Sequence, residues 1–287
     1  MSIAYLNGEF LPRDEACIPV MDRGFLFGDG VYEVIPVYGG RLFRLAHHLQ
    51  RLSSSLEAIR IGNPMGDAEW QHLLEQVVER NGGGDCSVYL QVTRGVAAKR
   101  DHAFPAGVTP TVFMMSSPMG AGRDIDREAG IHAVTLDDIR WDYCNVKAIT
   151  LLPNVLLRQQ AIEAEAAEAI LIKDGFATEG AASNLFIVRG DLLVTPPKSP
   201  SLLPGITRDL ILELAASHGI PFREADITLE ELTGADEIWL TSSTREISPV
   251  TRLDDRSIGN GTPGPKWHQM TRVYQDYKNA VSAGYAQ

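Results

Sequence analysis

The stretch NLFIVRGDLLVT, residues 184–195, helps to decide between a mixed α/β fold and a doubly wound parallel sheet. It holds two short apolar runs, NLFIV and DLLVT, on either side of a short break, and this pattern predicts a β-hairpin. Elsewhere, strand-like and helix-like stretches follow one another in mixed order rather than as regular strand–helix–strand units. We therefore expect an α+β (mixed α/β) fold rather than a doubly wound sheet.

The chain has 287 residues, which is enough for two domains. Apolar residues at helical spacing predict helices over residues 44–61, 67–81, 153–168, 207–219 and 267–281. β-Branched or alternating runs predict strands over residues 30–38, 87–95, 110–115, 131–136, 168–173 and 236–243.

Residues 116–130, SSPMGAGRDIDREAG, are polar and glycine-rich and have no period, which is typical of a linker. We expect a smaller N-terminal α/β domain over residues 1–117, an interdomain linker over 118–130 and a larger C-terminal domain over 131–287.

The charge balance excludes several partners. Against 37 Asp and Glu the chain has 26 Lys and Arg, a net charge of -11, which argues against nucleic acid or an anionic membrane. We find no apolar window of about 18 residues and no signal peptide, so we expect a cytoplasmic protein. Its three cysteines form no Cys-x-x-Cys pair, and no spacing indicates a metal site.

One loop is basic although the chain as a whole is acidic. AAKRDHAF, residues 97–104, gathers Lys99, Arg100 and His102 just after a predicted strand. Taken alone, these cations are most simply a solvated loop. They are also a suitable site for an anion, and the rest of the chain decides between the two interpretations.

Two further residues carry possible chemistry. Lys147 lies in the mostly apolar stretch WDYCNVKAITLLPNV, residues 141–155, and a partly desolvated amine can form a Schiff base. Glu179 lies in ATEGAASNLFIV, residues 177–188, and a pyridoxal ring needs a carboxylate at its nitrogen. Each residue alone is more simply structural, as a snorkelling lysine and a turn acid.

Phosphate-binding features accompany them. LLPGITRDLILEL, residues 202–214, places Thr207 at a helix start, where free backbone N–H groups favour an anion. LTSSTREISP, residues 240–249, adds hydroxyls at a strand end, including Ser243. Arg51, on a predicted helix, has the planar guanidinium that phosphate favours.

Nine motifs follow one another along the chain: RGFLFGDGVYEV, HLQRL, VTRG, IRW, NVKAITLLPNVL, EAILI, TEGAASNLF, GITRD and TSSTREISPV. In these motifs and in their order, the chain resembles the class IV pyridoxal-phosphate aminotransferases, which have fold type IV. The resemblance covers nearly the whole chain and is greatest to the D-amino-acid aminotransferases. It implies a homodimer with sites near the subunit interface, and pyridoxal 5'-phosphate bound mainly by the larger domain.

The resemblance also implies roles for individual residues. Lys147 would be the Schiff-base lysine, and Glu179 would partner the pyridine nitrogen. Arg140 would lie near the cofactor phenolate, held by Glu168. The phosphate would be held by Arg51, Ile206, Thr207 and Ser243.

For the substrate, the resemblance implies that Tyr32, with Arg100 and His102 from the partner subunit, binds the α-carboxylate. The expected reaction is ping-pong transamination of D-amino acids, such as D-alanine or D-glutamate, with a 2-oxo acid. Two departures from the family pattern are one extra residue before Arg100, and Ala181 and Ala182 where relatives often have serines.

Four alternatives stay open. Three are enzymes on the same fold: a branched-chain aminotransferase, an (R)-selective amine transaminase and an aminodeoxychorismate lyase. The fourth is a protein that binds the cofactor without catalysis.

Overall fold

The computed structural model describes residues 2–119 and 129–285. The strands within them are β1 Ile3–Leu6, β2 Glu9–Pro12, β3 Gly30–Tyr38, β4 Arg41–Leu42, β5 Cys86–Thr93, β6 Thr111–Pro118, β7 Ile131–Asp137, β8 Glu168–Lys173, β9 Phe176–Gly180, β10 Asn184–Arg189, β11 Leu192–Thr195, β12 Phe222–Glu224, β13 Ile227–Thr228, β14 Glu237–Ser242, β15 Glu246–Leu253 and β16 Arg256–Ser257. The α-helices are α1 Arg23–Phe27, α2 Leu45–Ala58, α3 Asp67–Arg80, α4 Leu152–Glu163, α5 Ile206–Ser217, α6 Leu229–Thr233 and α7 Pro265–Ser282. In the part of the chain so described, no helix is both long and apolar enough to cross a membrane.

The chain folds as two compact units. Of the described residues, the first unit comprises 2–119, 146–150 and 280–285, and the second comprises 129–145 and 151–279. Most of the predicted linker, residues 120–128, lies outside the described residues, and the domain boundaries drawn from the sequence stay a prediction. The short segment that carries Lys147 belongs to the first unit.

A six-stranded sheet forms the first unit, in the order β2-β1-β6-β5-β3-β4, and every neighbouring pair is antiparallel. Alternation along β5 is confirmed, since Val88, Leu90 and Val92 are fully buried in the core. The apolar faces of α2 and α3 pack on the same core through Leu52 and Leu74 among others. Helix periodicity and strand alternation in the sequence therefore converge on one hydrophobic core.

The second unit is built on a ten-stranded mixed sheet in the order β12-β11-β10-β14-β15-β7-β8-β9-β13, with β16 beside β15. The hairpin predicted from residues 184–195 is confirmed as the antiparallel pair β10–β11. Neighbours pair in parallel at β11–β12, β15–β7 and β7–β8. The expected α+β (mixed α/β) fold is confirmed by this combination.

Two of the differences from the sequence expectation concern the sheet of the second unit. The helix predicted to reach residue 168 ends at Glu163, because Glu168 begins β8 and pairs with β7. Strand β15 was not predicted, and it contains Pro249, which lacks the N–H that a central strand needs. Pro249 pairs with Trp239 of β14, and the pairing of β15 with β7 starts only at Val250.

Glu237 should contribute strongly to the stability of the second unit. Its carboxylate accepts hydrogen bonds from the N–H groups of Lys266 and Trp267, both at 2.8 Å, and from the Trp239 indole at 3.0 Å. It thereby caps the first turn of α7. We expect Glu237→Ala to lower the free energy of unfolding by about 2–3 kcal/mol, measured by urea denaturation.

A matched control is Glu163→Ala, at the exposed end of α4, which should change the free energy of unfolding by under about 0.5 kcal/mol. Equal stability of the two variants would contradict the capping role of Glu237.

Candidate active site

Lys147 lies in the first unit, on a segment that runs beside β3. The Tyr32 N–H donates to the Lys147 carbonyl at 3.0 Å, and the Lys147 N–H donates to Ser55 Oγ at 3.2 Å. Its neighbours Val146 and Ala148 are buried in the core. The Lys147 Nζ lies 4.2 Å from the centroid of the Tyr32 ring. The structure therefore brings together the predicted Schiff-base lysine and the predicted substrate tyrosine.

Arg51 is held by a buried ion pair. Its Nε and Nη2 donate to the two oxygens of Glu33 at 2.8 and 2.7 Å, and His48 Nδ1 lies 2.7 Å from Glu33 Oε2. Although burial raises the pKa of Glu33, the Arg51 guanidinium lowers it well below its usual range. Burial in turn lowers the pKa of His48. Glu33 therefore stays ionised and fixes the plane of the guanidinium.

His48, Arg51 and Ser55 occupy one face of α2, at a spacing of three and then four residues. This face meets Glu33 on β3 and the backbone of Lys147. The predicted phosphate arginine and the predicted catalytic lysine are therefore positioned by the same helix.

Arg100 and His102 lie together on the exposed loop between β5 and β6. The Arg100 guanidinium carbon is 4.9 Å from the centroid of the Phe27 ring, and the His102 ring is 5.4 Å from it, centroid to centroid. Lys99 forms an exposed ion pair with Asp101. The two residues predicted to bind a carboxylate thus share one aromatic support, and Lys99 points to solvent.

In the second unit, Glu179 is buried among donors. Arg140 Nη1 donates to Oε1, while Asn184 Nδ2 and the Leu203 N–H each donate to Oε2 at 3.0 Å. Burial raises the pKa of Glu179 to about 7, against the opposing effect of the Arg140 guanidinium. A buried carboxyl with so high a pKa is stabilised as an anion by any further positive partner.

The expected contact of Arg140 with Glu168 is wrong. Arg140 pairs with Asp138, with Nε at 2.9 Å from Oδ1 and Nη2 at 2.8 Å from Oδ2, and it also contacts Glu179. Glu168 pairs with Arg245 at 3.1 Å. Because Asp138 lies only two residues before Arg140, it reaches the guanidinium from the same turn.

The predicted phosphate-binding helix start, at the N-terminus of α5, is connected to Glu179 through Asn184. Helix α5 begins at Ile206, its N-cap Gly205 provides no side-chain hydrogen bond, and Thr207 is buried in the first turn. A Cβ at Gly205 would lie 1.8 Å from Asn184 Oδ1, so only glycine fits this approach. Asn184 also donates to the Leu203 carbonyl at 2.8 Å, which ties the helix start to Glu179.

Ser243, the remaining predicted phosphate residue, is half-buried in the turn between β14 and β15. No hydrogen bond among the described residues joins it to the start of α5.

Sequence reasoning missed Asp138, Asn184 and Ser55 as supporting residues. Asn184 and Ser55 hold the site through contacts with residues that lie elsewhere in the chain, and such contacts leave no periodic signal. Asp138 could have been predicted from the sequence, since an acid two residues from an arginine often forms a local turn with it.

The residues present fit pyridoxal 5'-phosphate. Glu179 is a buried carboxyl that a protonated ring nitrogen would stabilise as an anion, and no N-cap side chain occupies the N–H groups at the start of α5, which a phosphate favours. Ser183 Oγ is also buried near Gly180, with no hydrogen-bond partner among the described residues. A polar group bound beside Glu179 would satisfy it.

Comparison with known proteins gives consistent results. A D-alanine aminotransferase of Bacillus licheniformis is 42% identical over 94% of this chain and 95% of its own, and one of Staphylococcus haemolyticus is 35% identical over 99% and 100%. A branched-chain amino acid aminotransferase of Escherichia coli has a TM-score of 0.90 at 28% identity, covering 100% of this chain and 96% of its own. The branched-chain aminotransferase of Thermoproteus uzoniensis with norvaline has a TM-score of 0.87 at 27% identity, covering 99% and 95%. These structures confirm the expected fold type IV.

The sequence profile of the family described as amino-transferase class IV matches residues 30–253. This match spans most of the chain, and the two relatives cover nearly all of it at 35% identity or more. A further branched-chain enzyme of this fold, at 27% identity, was solved with pyridoxamine 5'-phosphate. The chain therefore belongs to the class IV aminotransferases, which depend on pyridoxal 5'-phosphate.

Proposed function

We propose that this enzyme transfers the amino group of D-amino acids, such as D-alanine or D-glutamate, to a 2-oxo acid in a ping-pong cycle. The observation that carries the proposal is the pair of Arg100 and His102 on one loop, both resting on Phe27. The D-alanine aminotransferases at 35–42% identity support it. The branched-chain enzymes that share the fold are less similar in sequence, at 27–28% identity.

The roles of the cofactor residues are part of the proposal. When bound, pyridoxal 5'-phosphate supplies an aldehyde that takes up the substrate amine and a ring that withdraws electrons from the substrate carbon. The Lys147 amine would move the proton between the substrate α-carbon and the cofactor carbon. Glu179 would keep a proton at the ring nitrogen, and Arg140 would lie near the phenolate. Arg51, Ile206, Thr207 and Ser243 would hold the phosphate.

Substrate handedness depends on where the α-carboxylate is held. With the amine fixed at the cofactor, a single enantiomer can place its carboxylate at Tyr32, Arg100 and His102 and its α-hydrogen toward Lys147. Both Arg100 and His102 are exposed on their own protomer. This supports a homodimer in which the loop serves the partner subunit's site. The cytoplasmic location expected from the sequence stays a prediction.

The first test is the lysine itself. We expect Lys147→Ala to lower kcat with D-alanine and a 2-oxo acid by at least about 1,000-fold, because the proton between carbon atoms loses its carrier. Borohydride should attach the cofactor to wild-type protein at Lys147, as read by mass spectrometry of peptides, and not to the variant. Normal turnover by the variant would overturn the mechanism.

A panel of D- and L-amino acids with 2-oxoglutarate tests the substrate class. We expect D-alanine to react faster than L-alanine or L-leucine, and Arg100→Ala to raise KM for D-alanine by about 10-fold or more, since a charge-assisted hydrogen bond to the carboxylate is lost. Lys99→Ala, one residue earlier, is the control and should leave KM unchanged. Faster turnover of L-leucine would support branched-chain transamination instead.

The pKa of Glu179 predicts a pH dependence of stability in the cofactor-free protein. Burial raises this pKa from an ordinary 4.5 to about 7. Between those values the folded state keeps a proton that the unfolded state has released, so stability falls as pH rises. Relative to Glu179→Gln, the wild type should lose up to about 3 kcal/mol between about pH 4.5 and about pH 7.

The measurement is urea denaturation of both cofactor-free proteins across that pH range. The glutamine amide can change the free energy of unfolding by an amount that does not depend on pH. This amount cancels, because only the change of the free energy of unfolding with pH is compared between the two proteins. Exposed Glu163→Gln is the control and should parallel the wild type at every pH. A difference between wild type and Glu179→Gln that does not vary with pH would contradict the raised pKa.

A further inference from the structure

The loop that carries Arg100 and His102 is anchored at its base. Asp22 and Val96 form an antiparallel bridge, the Arg23 N–H donates to the Gly95 carbonyl at 2.9 Å, and the Ala97 N–H donates to the Met21 carbonyl at 3.2 Å. At Gly95 the φ is +99°, and a Cβ would lie 2.0 Å from the Thr109 carbonyl oxygen. The loop therefore leaves the sheet along a fixed path.

Arg23 holds the loop farther out. This residue is 3% exposed. Its guanidinium donates to the carbonyls of three successive residues: Asp101, His102 at 3.3 Å and Ala103 at 3.4 Å, with Asp101 the closest. Its Nε donates to Asp29 Oδ2 at 2.7 Å. The rigid fork of a guanidinium contacts the backbone, so it fixes the course of residues 101–103 whatever their side chains.

Asp29 connects this contact to a second one. Its carboxylate also accepts hydrogen bonds from Arg94 Nε at 2.8 Å and Nη2 at 3.0 Å. Although burial raises the pKa of Asp29, the two arginines lower it below its usual value, so the carboxylate stays charged. The Arg94 guanidinium carbon in turn lies 3.8 Å from the centroid of the Phe104 ring. The loop is thus held at residues 101–103 and again at Phe104.

The side chains of the loop rest on the same element. Phe27, the last residue of α1, lies under both Arg100 and His102, and the Arg23 guanidinium is 4.8 Å from its ring centroid. Helix α1 is itself fixed by Asp22, which accepts from the Gly24 N–H at 2.8 Å and from Thr111 Oγ1 at 2.7 Å. Arg23 and Phe27, both on α1, are therefore the residues that fix the positions of the Arg100 and His102 side chains.

We propose that Arg23 is a positioning residue for substrate specificity: by holding the carbonyls of residues 101–103, it sets the place at which Arg100 and His102 meet the substrate α-carboxylate. The inference rests on the proposed function, since it requires that these two residues bind the carboxylate. Arg23 itself touches neither substrate nor cofactor in this role.

The test uses the holoenzyme of Arg23→Met, which keeps the apolar stem and removes the donors. Asp29 keeps Arg94 as its partner in this variant, so no buried charge is left alone. We expect KM for D-alanine, at saturating 2-oxo acid, to rise by about 10-fold or more while kcat changes by less than about 3-fold. The cofactor absorption spectrum should be unchanged. Arg23→Lys should restore part of the KM, because an ammonium can still reach a carbonyl.

Two further variants keep the result interpretable. Phe27→Leu removes the ring under Arg100 and His102 and leaves the hydrogen bonds of the Arg23 guanidinium in place, and it should raise the same KM by a smaller factor. Arg80→Met is the matched control, since Arg80 also stacks on an aromatic ring, that of Phe10, at 4.3 Å, and it should leave KM and kcat as they are.

The outcomes separate this inference from the proposed function. If Arg100→Ala raises KM for D-alanine and Arg23→Met does not, the positioning role is overturned and the carboxylate site stands. If neither raises it, the proposed carboxylate site fails and the inference with it. A fall in kcat and Tm with KM unchanged would show that Arg23 is merely structural, and that too overturns the inference.

Discussion

The bidentate pairing of buried arginines with buried carboxylates is the interaction on which the candidate site depends. Arg51 forms such a pair with Glu33, and Arg140 forms one with Asp138. Arg23 donates a single hydrogen bond to Asp29, and its other N–H groups bind backbone carbonyls. A guanidinium removed from water requires a partner, and breaking such a pair costs about 3–5 kcal/mol because the other charge is left buried. The pairing therefore fixes each guanidinium in one orientation before any ligand arrives, and the remaining N–H groups of the fork point in known directions.

The acids in these pairs are not equivalent. Glu33 accepts from Arg51 on both oxygens and contacts His48, and its pKa falls well below the usual range even though burial opposes this. Glu179 has Arg140 as its cationic partner, and burial still raises its pKa to about 7. Glu33 is fully hydrogen-bonded and fixes the orientation of Arg51, whereas a further cation would stabilise the ionised form of Glu179. A raised pKa alone does not identify a cofactor-binding acid, since burial also raises the pKa of Glu168. Glu168 pairs with Arg245, which is not one of the predicted site residues.

Local patterns in the sequence predicted local structure well. The hairpin at residues 184–195 and the buried face of α2 depend on residues close in the chain, and both are present. Strand β15 was missed because its proline is tolerated only through the register of its neighbours, which no local pattern records. The contact of Glu168 with Arg140 was expected and is absent, because the choice among several nearby acids depends on how β7, β8 and β9 are aligned. Lys147, Glu179 and the two cationic loop positions were singled out by residue type and surroundings, whereas their roles came from the family resemblance. The contacts that support them came only from the structure.

The extra residue that the family resemblance implies before Arg100 would fall in a loop segment whose two ends are held. The base of the loop is fixed as far as Ala97 by pairing with residues 21–23, and its far part is fixed at residues 101–103 by Arg23. An added residue must therefore be absorbed over positions 98–100, whose side chains are exposed. Since Arg23 binds backbone carbonyls, a longer approach leaves the course of residues 101–103 as it is. An added residue would shift Arg100 more than His102, because Arg100 lies at the edge of the absorbing segment and His102 inside the held one. Phe27 would limit this shift, since its ring contacts both side chains. The loop could therefore accept a change of length while keeping the two side chains that the proposed function assigns to the substrate carboxylate close together.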